Sequence, residues 1–252
     1  MELNNTPVLV TGGASGLGEA TAIRLAAQGA KVAILDVQTE KAKAVAERIG
    51  GIAVYCDVTS DQSATQAIAE AREKHGVARV LVNCAGAGTG KRVVGKDGPM
   101  PLEDFTKVIN LNLVGSFNMT RLAAADMIAS DPLGEERGVI LFTSSVAAFE
   151  GQIGQAAYSA SKGGVASMTI QLAREFAQFG VRVMTIAPGI FLTPLMQTAT
   201  PEVQASLSKA TPFPSRLGRP EEFADLASHI IGNPFLNGEI IRIDGATRLG
   251  IR

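Results

Sequence analysis

Cysteine is scarce in this chain: Cys56 and Cys84 are the only two among 252 residues. Both lie in hydrophobic runs that read as strands, which favours buried free thiols over a disulfide and fits a reducing compartment. An excess of either charge is also lacking. Lysine and arginine number 23 against 24 aspartates and glutamates, a formal net charge of -1. Such a chain projects no broad positive field toward a phosphate backbone, so nucleic acid is not an expected partner, although local basic patches remain open. Long apolar runs are missing too, since no uninterrupted stretch approaches the roughly 20 residues a bilayer span needs. The six residues before Pro7 contain neither an apolar signal-type core nor an arginine-rich amphipathic segment, so the expectation is a cytoplasmic protein with no membrane partner.

What is present is the balance of a globular protein, 46% hydrophobic and 19% charged. The length permits two domains, but α/β sheets of this size often form one, and a single domain over residues 1–252 is expected. Short β-branched runs alternate with longer Ala-rich amphipathic stretches, the pattern of strand-helix-strand units around a parallel sheet. The spacing predicts strands at Pro7–Thr11, Val32–Asp36, from Ile52, at Val80–Asn83, Val139–Thr143, Val181–Ile186 and Glu239–Ile243. It predicts helices at Gly16–Gln28, Thr39–Ile49 (stopped by Gly50-Gly51), Ser60–His75 and Leu102–Ile128, with another after Tyr158. A Gly-rich basic loop carries Lys91, Arg92 and Lys96, and Ser130–Arg137 reads as a polar surface excursion. Leu195–Lys209, bracketed by prolines and without a tidy period, reads as a flap, within about residues 190–212. The fold class expected is α/β: one Rossmann-like, doubly wound parallel sheet of about seven strands, with helices on both faces.

Thr11-Gly12-Gly13-Ala14-Ser15-Gly16-Leu17-Gly18 lies between a strand and a helix, where glycines allow a tight turn and let a pyrophosphate approach exposed N–H groups at the helix N-terminus. Ser15 and Leu17 belong to the same candidate site. The spacing is not G-x-G-x-x-G, and the alternative is a connection kept small for packing. Asp36 ends the second strand, where a carboxylate can accept hydrogen bonds from both adenosine ribose hydroxyls and repel a 2′-phosphate. No arginine or lysine stands immediately beside it, which favours NAD over NADP; the alternative is an Asp capping the next helix.

Tyr158 and Lys162 are four residues apart on an expected helix, which puts the ammonium one turn from the phenol on the same face. A free tyrosine titrates near ~10, too high for proton exchange at neutral pH, and a nearby cation favours its phenolate. In isolation the pair reads more simply as solvated surface residues. Ser145 follows the strand Val139–Thr143, at the carboxyl edge of the sheet where ligands of such folds bind. It is either a donor to a substrate carbonyl oxygen or a turn serine capping neighbouring backbone.

Together these residues resemble the short-chain dehydrogenase/reductase family from Thr11 to Gly245. The match rests on Thr-Gly-x-x-x-Gly-x-Gly at Thr11–Gly18, Asp57-Val58, Asn83-Cys84-Ala85-Gly86, Asn110-x-Asn112, Ser145 thirteen residues before Tyr158, Lys162, and Pro188-Gly189. The resemblance implies that Asp57 and Val58 contact the adenine, and that Asn83, Cys84 and Gly86 line the adenosine and ribose side. It implies that Phe191 and Thr193 contact the nicotinamide half and that Lys162 also binds the nicotinamide ribose. Asn112 would hold a water in a proton relay through Lys162, or else satisfy a kink in its helix. The implied reaction has Tyr158 remove a hydroxyl proton while hydride leaves the same carbon for NAD, Ser145 stabilising the oxyanion, with no metal. The family usually forms tetramers through its long helices, so a homotetramer is implied.

Residues 144–164, Val183–Gly189, Asn237-Gly238-Glu239 and the insertion before Val139 resemble one branch, the type-10 17β-hydroxysteroid dehydrogenases, also called short-chain 3-hydroxyacyl-CoA dehydrogenases type II. That implies an acyl-CoA or steroid-like substrate, most directly a 3-hydroxyacyl-CoA, straight or 2-methyl-branched. Gln155 would position it, or act as a helix-capping amide. Lys91, Arg92 and Lys96 could meet CoA phosphates, though a solvated cluster is the simpler reading. Rival readings are a hydroxysteroid dehydrogenase, a 3-oxoacyl-carrier-protein reductase, against which Asp36 argues, and a cofactor-binding scaffold in a tRNA-processing complex.

Overall fold

The computed structural model describes residues 1–88 and 90–251, with Leu195 and Gln197 described by backbone alone. The chain begins β1 (Pro7–Thr11), α1 (Gly16–Ala26), β2 (Lys31–Asp36), α2 (Thr39–Ile49), β3 (Ile52–Tyr55), α3 (Asp61–His75) and β4 (Val80–Asn83). A small hairpin, β5 (Val94–Gly95) and β6 (Gly98–Pro99), occupies the basic loop. The helical stretch α4 (Leu102–Ile109) and α5 (Gly115–Ile128) is continuous through a π-turn at Asn110–Val114. Then come β7 (Gly138–Thr143), α6 (Ala156–Phe176), β8 (Val181–Pro188), α7 (Pro194–Gln197), α8 (Pro201–Lys209), α9 (Pro220–Gly232) and β9 (Ile240–Ile243).

Seven strands form one parallel sheet in the order β3-β2-β1-β4-β7-β8-β9. The period-2 alternation of each strand sends successive side chains to opposite faces, and both faces are covered. On one, Leu9, Leu81, Ile140 and Val183 pack with α3, α5 and α6. On the other, Val8, Val10, Ile34, Val82, Leu141 and Ile186 pack with α1, α2 and α9. The sheet is the doubly wound, Rossmann-like arrangement expected. Strand order reverses between β1 and β4, which opens a crevice at their carboxyl ends.

Three elements differ from expectation. Helix α9 was not anticipated, although Pro220 at its first turn, Glu221 and Glu222 behind it, and the buried stripe Phe223, Ala227, Ile230 and Ile231 are strong helix signals. The flap region contains two short helices, α7 and α8; the side chains of Leu195 and Gln197 within it lie outside the described residues. The excursion at 130–137 is not all surface, because Glu136 turns inward to pair with Arg182, and both are buried. The guanidinium also donates to the carbonyls of Ile230, Ile231 and Leu236 at 2.8–3.1 Å, which satisfies a buried charge as burial requires. Among the described residues no helix is long and apolar enough to cross a membrane.

Candidate active site

The carboxyl ends of β1, β2, β7 and β8 border one elongated cleft of about 670 Å³. At one end the turn after β1 carries Gly12 and Gly16 at positive φ (64° and 59°), a left-handed backbone that a Cβ would strain. Gly18 is needed for a different reason, since a Cβ there would stand 2.2 Å from the Gly12 carbonyl oxygen. Ser15 precedes α1 in extended conformation and makes no side-chain capping bond. The first-turn N–H groups of α1 therefore lack an intrahelical or side-chain acceptor, and Gly16, Leu17 and Gly18 present that turn to the cleft.

Asp36 lines the same end, 7% exposed. Its Oδ2 accepts the Ala14 N–H at 3.1 Å and its Oδ1 the Gln38 N–H at 2.9 Å. The cap and the ligand readings are thus compatible: the backbone bonds orient the carboxylate, and each oxygen keeps a further lone pair. Asp57, Val58, Cys84 and Gly86 line the wall beyond it. The Asp57 carboxylate is turned to Thr59, whose N–H and hydroxyl it accepts at 2.9 and 2.7 Å. Asn83 is buried behind this wall, its amide nitrogen 3.4 Å from the Thr120 hydroxyl. Both cysteines are free thiols as expected, but only Cys56 is buried, Cys84 being half-buried and facing the cleft; burial pushes their pKa up to about 12 and about 11.

At the centre stand Ser145, Tyr158 and Lys162. Ser145 acts as the expected turn cap, its hydroxyl accepting the Ala147 N–H at 3.1 Å in a short 3₁₀ turn, and the same hydroxyl is placed to hydrogen-bond the Tyr158 phenol. The phenol lies in the second position after the start of α6, and the Lys162 ammonium sits one turn on, 5.8 Å from the ring centroid. Lys162 donates to the Thr143 carbonyl at 2.7 Å, so the end of β7 holds the ammonium in place.

The electrostatics differ from the simple sequence picture. Burial raises the Tyr158 pKa above its ordinary value, and the Ser145 hydroxyl pulls it partly back. Burial also lowers Lys162 to about 8, partly opposed by the neighbouring Cys84 thiol. Desolvation penalises phenolate and ammonium alike, and it is the largest cause of both shifts. At neutral pH the site therefore holds a protonated phenol beside a lysine that is still largely charged.

Asn112 lies in the π-turn and is fully buried. Its amide clamps Ala87, accepting that residue's N–H and donating to its carbonyl, both at 2.9 Å, and it donates to the Ser161 hydroxyl at 3.0 Å. Its side chain thus braces the loop after β4 against α6. Phe191 and Thr193 line the cleft beyond Pro188-Gly189, and Phe191 stacks edge-to-face on Phe223 at 6.4 Å. Gln155 precedes α6 but does not cap it; its Oε1 accepts the Gln152 N–H at 3.1 Å. Lys91 pairs with Asp104, and Arg92 and Lys96 are exposed.

Sequence reasoning did not single out Gln152, Met196, Leu207 or Leu249, which also line the cleft. For Gln152 a signal existed, the repeated glutamine three residues before Gln155; for Leu249, far along the chain, none did.

Residues 6–204 match the sequence profile of the family described as short chain dehydrogenase. The chain belongs to the short-chain dehydrogenase family. It is therefore an oxidoreductase that uses a nicotinamide dinucleotide, NAD or NADP, and the donors and carboxylate along this cleft fit such a group. This dehydrogenase is 51% identical to the 3-hydroxyacyl-CoA dehydrogenase type-2 of Bos taurus, over 96% of the chain and 94% of that protein. It is 49% identical to the enzyme of the same name from Drosophila melanogaster, over 98% and 99%. Among solved structures it resembles the 3-hydroxyacyl-CoA dehydrogenase type-2 of Mycobacterium avium, with TM-score 0.93, 44% identity, and 98% and 97% of the two chains covered.

Proposed function

We propose that this dehydrogenase oxidises 3-hydroxyacyl-CoA substrates, straight or 2-methyl-branched, to 3-ketoacyl-CoA with NAD. The observation that carries the reaction is the convergence of Ser145, Tyr158 and Lys162 in the cleft that also holds the α1 turn and Asp36. The acyl-CoA class is supported by the near full-length likeness to proteins of that name. NAD over NADP is supported by the buried Asp36 carboxylate, whose charge opposes a 2′-phosphate.

Bound NAD supplies the hydride acceptor. Gly12, Ser15, Gly16, Leu17 and Gly18 would hold its phosphates, Asp36 its adenosine ribose, and Asp57, Val58, Cys84 and Gly86 its adenine side, with Asn83 backing that wall from within. Phe191 and Thr193 would flank the other half together with Lys162. The Tyr158 oxygen, once ionised, takes the proton of the substrate hydroxyl, and the protonated phenol gives it back in ketone reduction. Ser145 donates to the same substrate oxygen as its charge grows, a preorganised contact that costs no rearrangement. Lys162, anchored on Thr143, keeps a positive charge near the phenol. Asn112 holds the Ala87 backbone behind Lys162 and is the residue through which a relay water would be positioned. Gln155 contributes a polar contact to substrate at the cleft rim.

We also propose a cytoplasmic homotetramer. The exposed apolar residues Leu102, Val114 and Phe117 on the α4–α5 stretch and Ile170 on α6 support burial of the long helices between copies.

The test is formation of NADH from NAD, or of NADPH from NADP, with 3-hydroxybutyryl-CoA, its 2-methyl analogue and a hydroxysteroid. Turnover of the CoA substrates with NAD is expected; activity confined to the steroid would overturn the acyl-CoA reading.

A further inference from the structure

The last residues of the chain return to the active site. Leu249 lines the cleft, together with Met196 of α7, Leu207 of α8 and the amides Gln152 and Gln155. Residues 246–251 belong to no strand or helix; the start of this tail is held by Arg242 of β9, which donates to the Thr247 carbonyl at 3.1 Å. Beyond Thr247, Leu249, Gly250 and Ile251 bond to the loop between Ser145 and Tyr158. The Glu150 Oε2 accepts the Leu249 N–H at 2.9 Å, the Gln152 side chain donates to the Gly250 carbonyl at 3.2 Å, and the Ile153 N–H donates to the Ile251 carbonyl at 3.1 Å.

Glu150 is the hub of this contact. Besides the Leu249 N–H it pairs with Arg242 of β9 at 2.7 Å and with Arg248 of the tail at 3.3 Å. Arg242 is in turn held by Asp244 at 2.7 Å and lies over the Phe149 ring at 5.7 Å. One carboxylate thus joins the loop between two catalytic residues, the last strand and the tail. A carboxylate accepting a backbone N–H beside two guanidiniums makes charge-assisted bonds, stronger than neutral ones.

We propose that Glu150 is a positioning residue that clamps the C-terminal tail against the catalytic loop, so that Leu249 forms a fixed wall of the acyl pocket and sets the preference for acyl-chain length. This rests on the acyl-CoA reading of the site. The clamp acts on substrate fit and not on proton transfer, because Glu150 bonds to the tail and β9 and to neither Ser145 nor Tyr158. The wall is apolar where it meets the cleft, and each methylene gained or lost in such a pocket is worth a large factor in discrimination, roughly 10-fold or more.

The experiment compares wild type with Glu150→Ala, Glu150→Gln and Leu249→Ala, using four-carbon and eight-carbon 3-hydroxyacyl-CoAs, and follows amide hydrogen exchange at the tail. Glu150→Ala should raise KM for the eight-carbon substrate about tenfold, with kcat and the KM for NAD within about twofold. It should also speed exchange at Leu249. Glu150→Gln, whose amide oxygen can still accept the Leu249 N–H, should restore most of both. Leu249→Ala should change the eight-to-four-carbon ratio of kcat/KM without loosening the rest of the tail. An unchanged ratio in both Glu150→Ala and Leu249→Ala, or unchanged exchange at Leu249 in Glu150→Ala, would overturn the proposal. Failure of wild type on either CoA substrate would instead sink the substrate reading; the ratio is then taken between a small and a bulky secondary alcohol that wild type does oxidise, and the exchange result still decides the clamp.

Discussion

Replacing Ser145 with alanine removes two bonds made by one hydroxyl, and the consequences separate. The first is the cap on the 3₁₀ turn at Val146–Ala148, where Oγ accepts the Ala147 N–H at 3.1 Å. Loss of such a cap costs about 1 kcal/mol, which for a chain of this size lowers Tm by roughly 2–4 °C. The second is the hydroxyl facing the phenol, which opposes the burial-driven rise of the Tyr158 pKa. Without it the pKa climbs further, so the ascending limb of kcat/KM for alcohol oxidation, which follows ionisation of the phenol, should move to higher pH. The third effect is on the substrate oxygen: loss of one preorganised donor lowers kcat by about 10²–10³. Ser145→Thr keeps the hydroxyl and should recover much of the rate. The assay is steady-state NADH formation over pH 6–10 alongside a thermal melt. The reasoning fails if Ser145→Ala keeps more than about a tenth of wild-type kcat, or if the pH limb stays put while the rate falls.

Asp36→Asn keeps one acceptor but puts an amide NH₂ against the Ala14 or Gln38 N–H, and removes the charge that opposes a 2′-phosphate. The NAD-to-NADP ratio of kcat/KM should fall by about tenfold or more, the value of one charged hydrogen bond; a ratio within twofold of wild type would count against the assignment. Alcohol oxidation should accelerate as pH rises from 7 toward the raised Tyr158 pKa, because it needs the ionised phenol, whereas ketone reduction, which needs the protonated form, should not rise over that range. Parallel profiles in the two directions would contradict the proton role of Tyr158. Phe223→Ala empties a fully buried site against Phe191 and should destabilise the chain by about 3–5 kcal/mol, while also weakening dinucleotide binding through Phe191. Calorimetry and a binding titration read the two effects, and a stable variant with normal binding would show that the ring pair does not support the cleft.

Much of the architecture is decided by residues close together in the chain. The short apolar, β-branched runs at Pro7–Thr11 and Val80–Asn83 mark these strands to the residue, and the pattern from Thr39 to the Gly50-Gly51 stop marks α2. Tyr158 and Lys162 share a face of α6 because four residues make about one helical turn. Asp36 at the end of β2 and the glycine turn after β1 were readable for the same reason, since both sit at element ends defined by local pattern. Tertiary structure decided the rest. That a carboxylate in a polar excursion, Glu136, is buried depends on Arg182, 46 residues away. That Leu249 reaches the site depends on Glu150, 99 residues before it. The pKa values of Tyr158 and Lys162 follow the same division: spacing sets which groups are neighbours, but desolvation sets which proton is held, and desolvation is a property of everything packed around the pair.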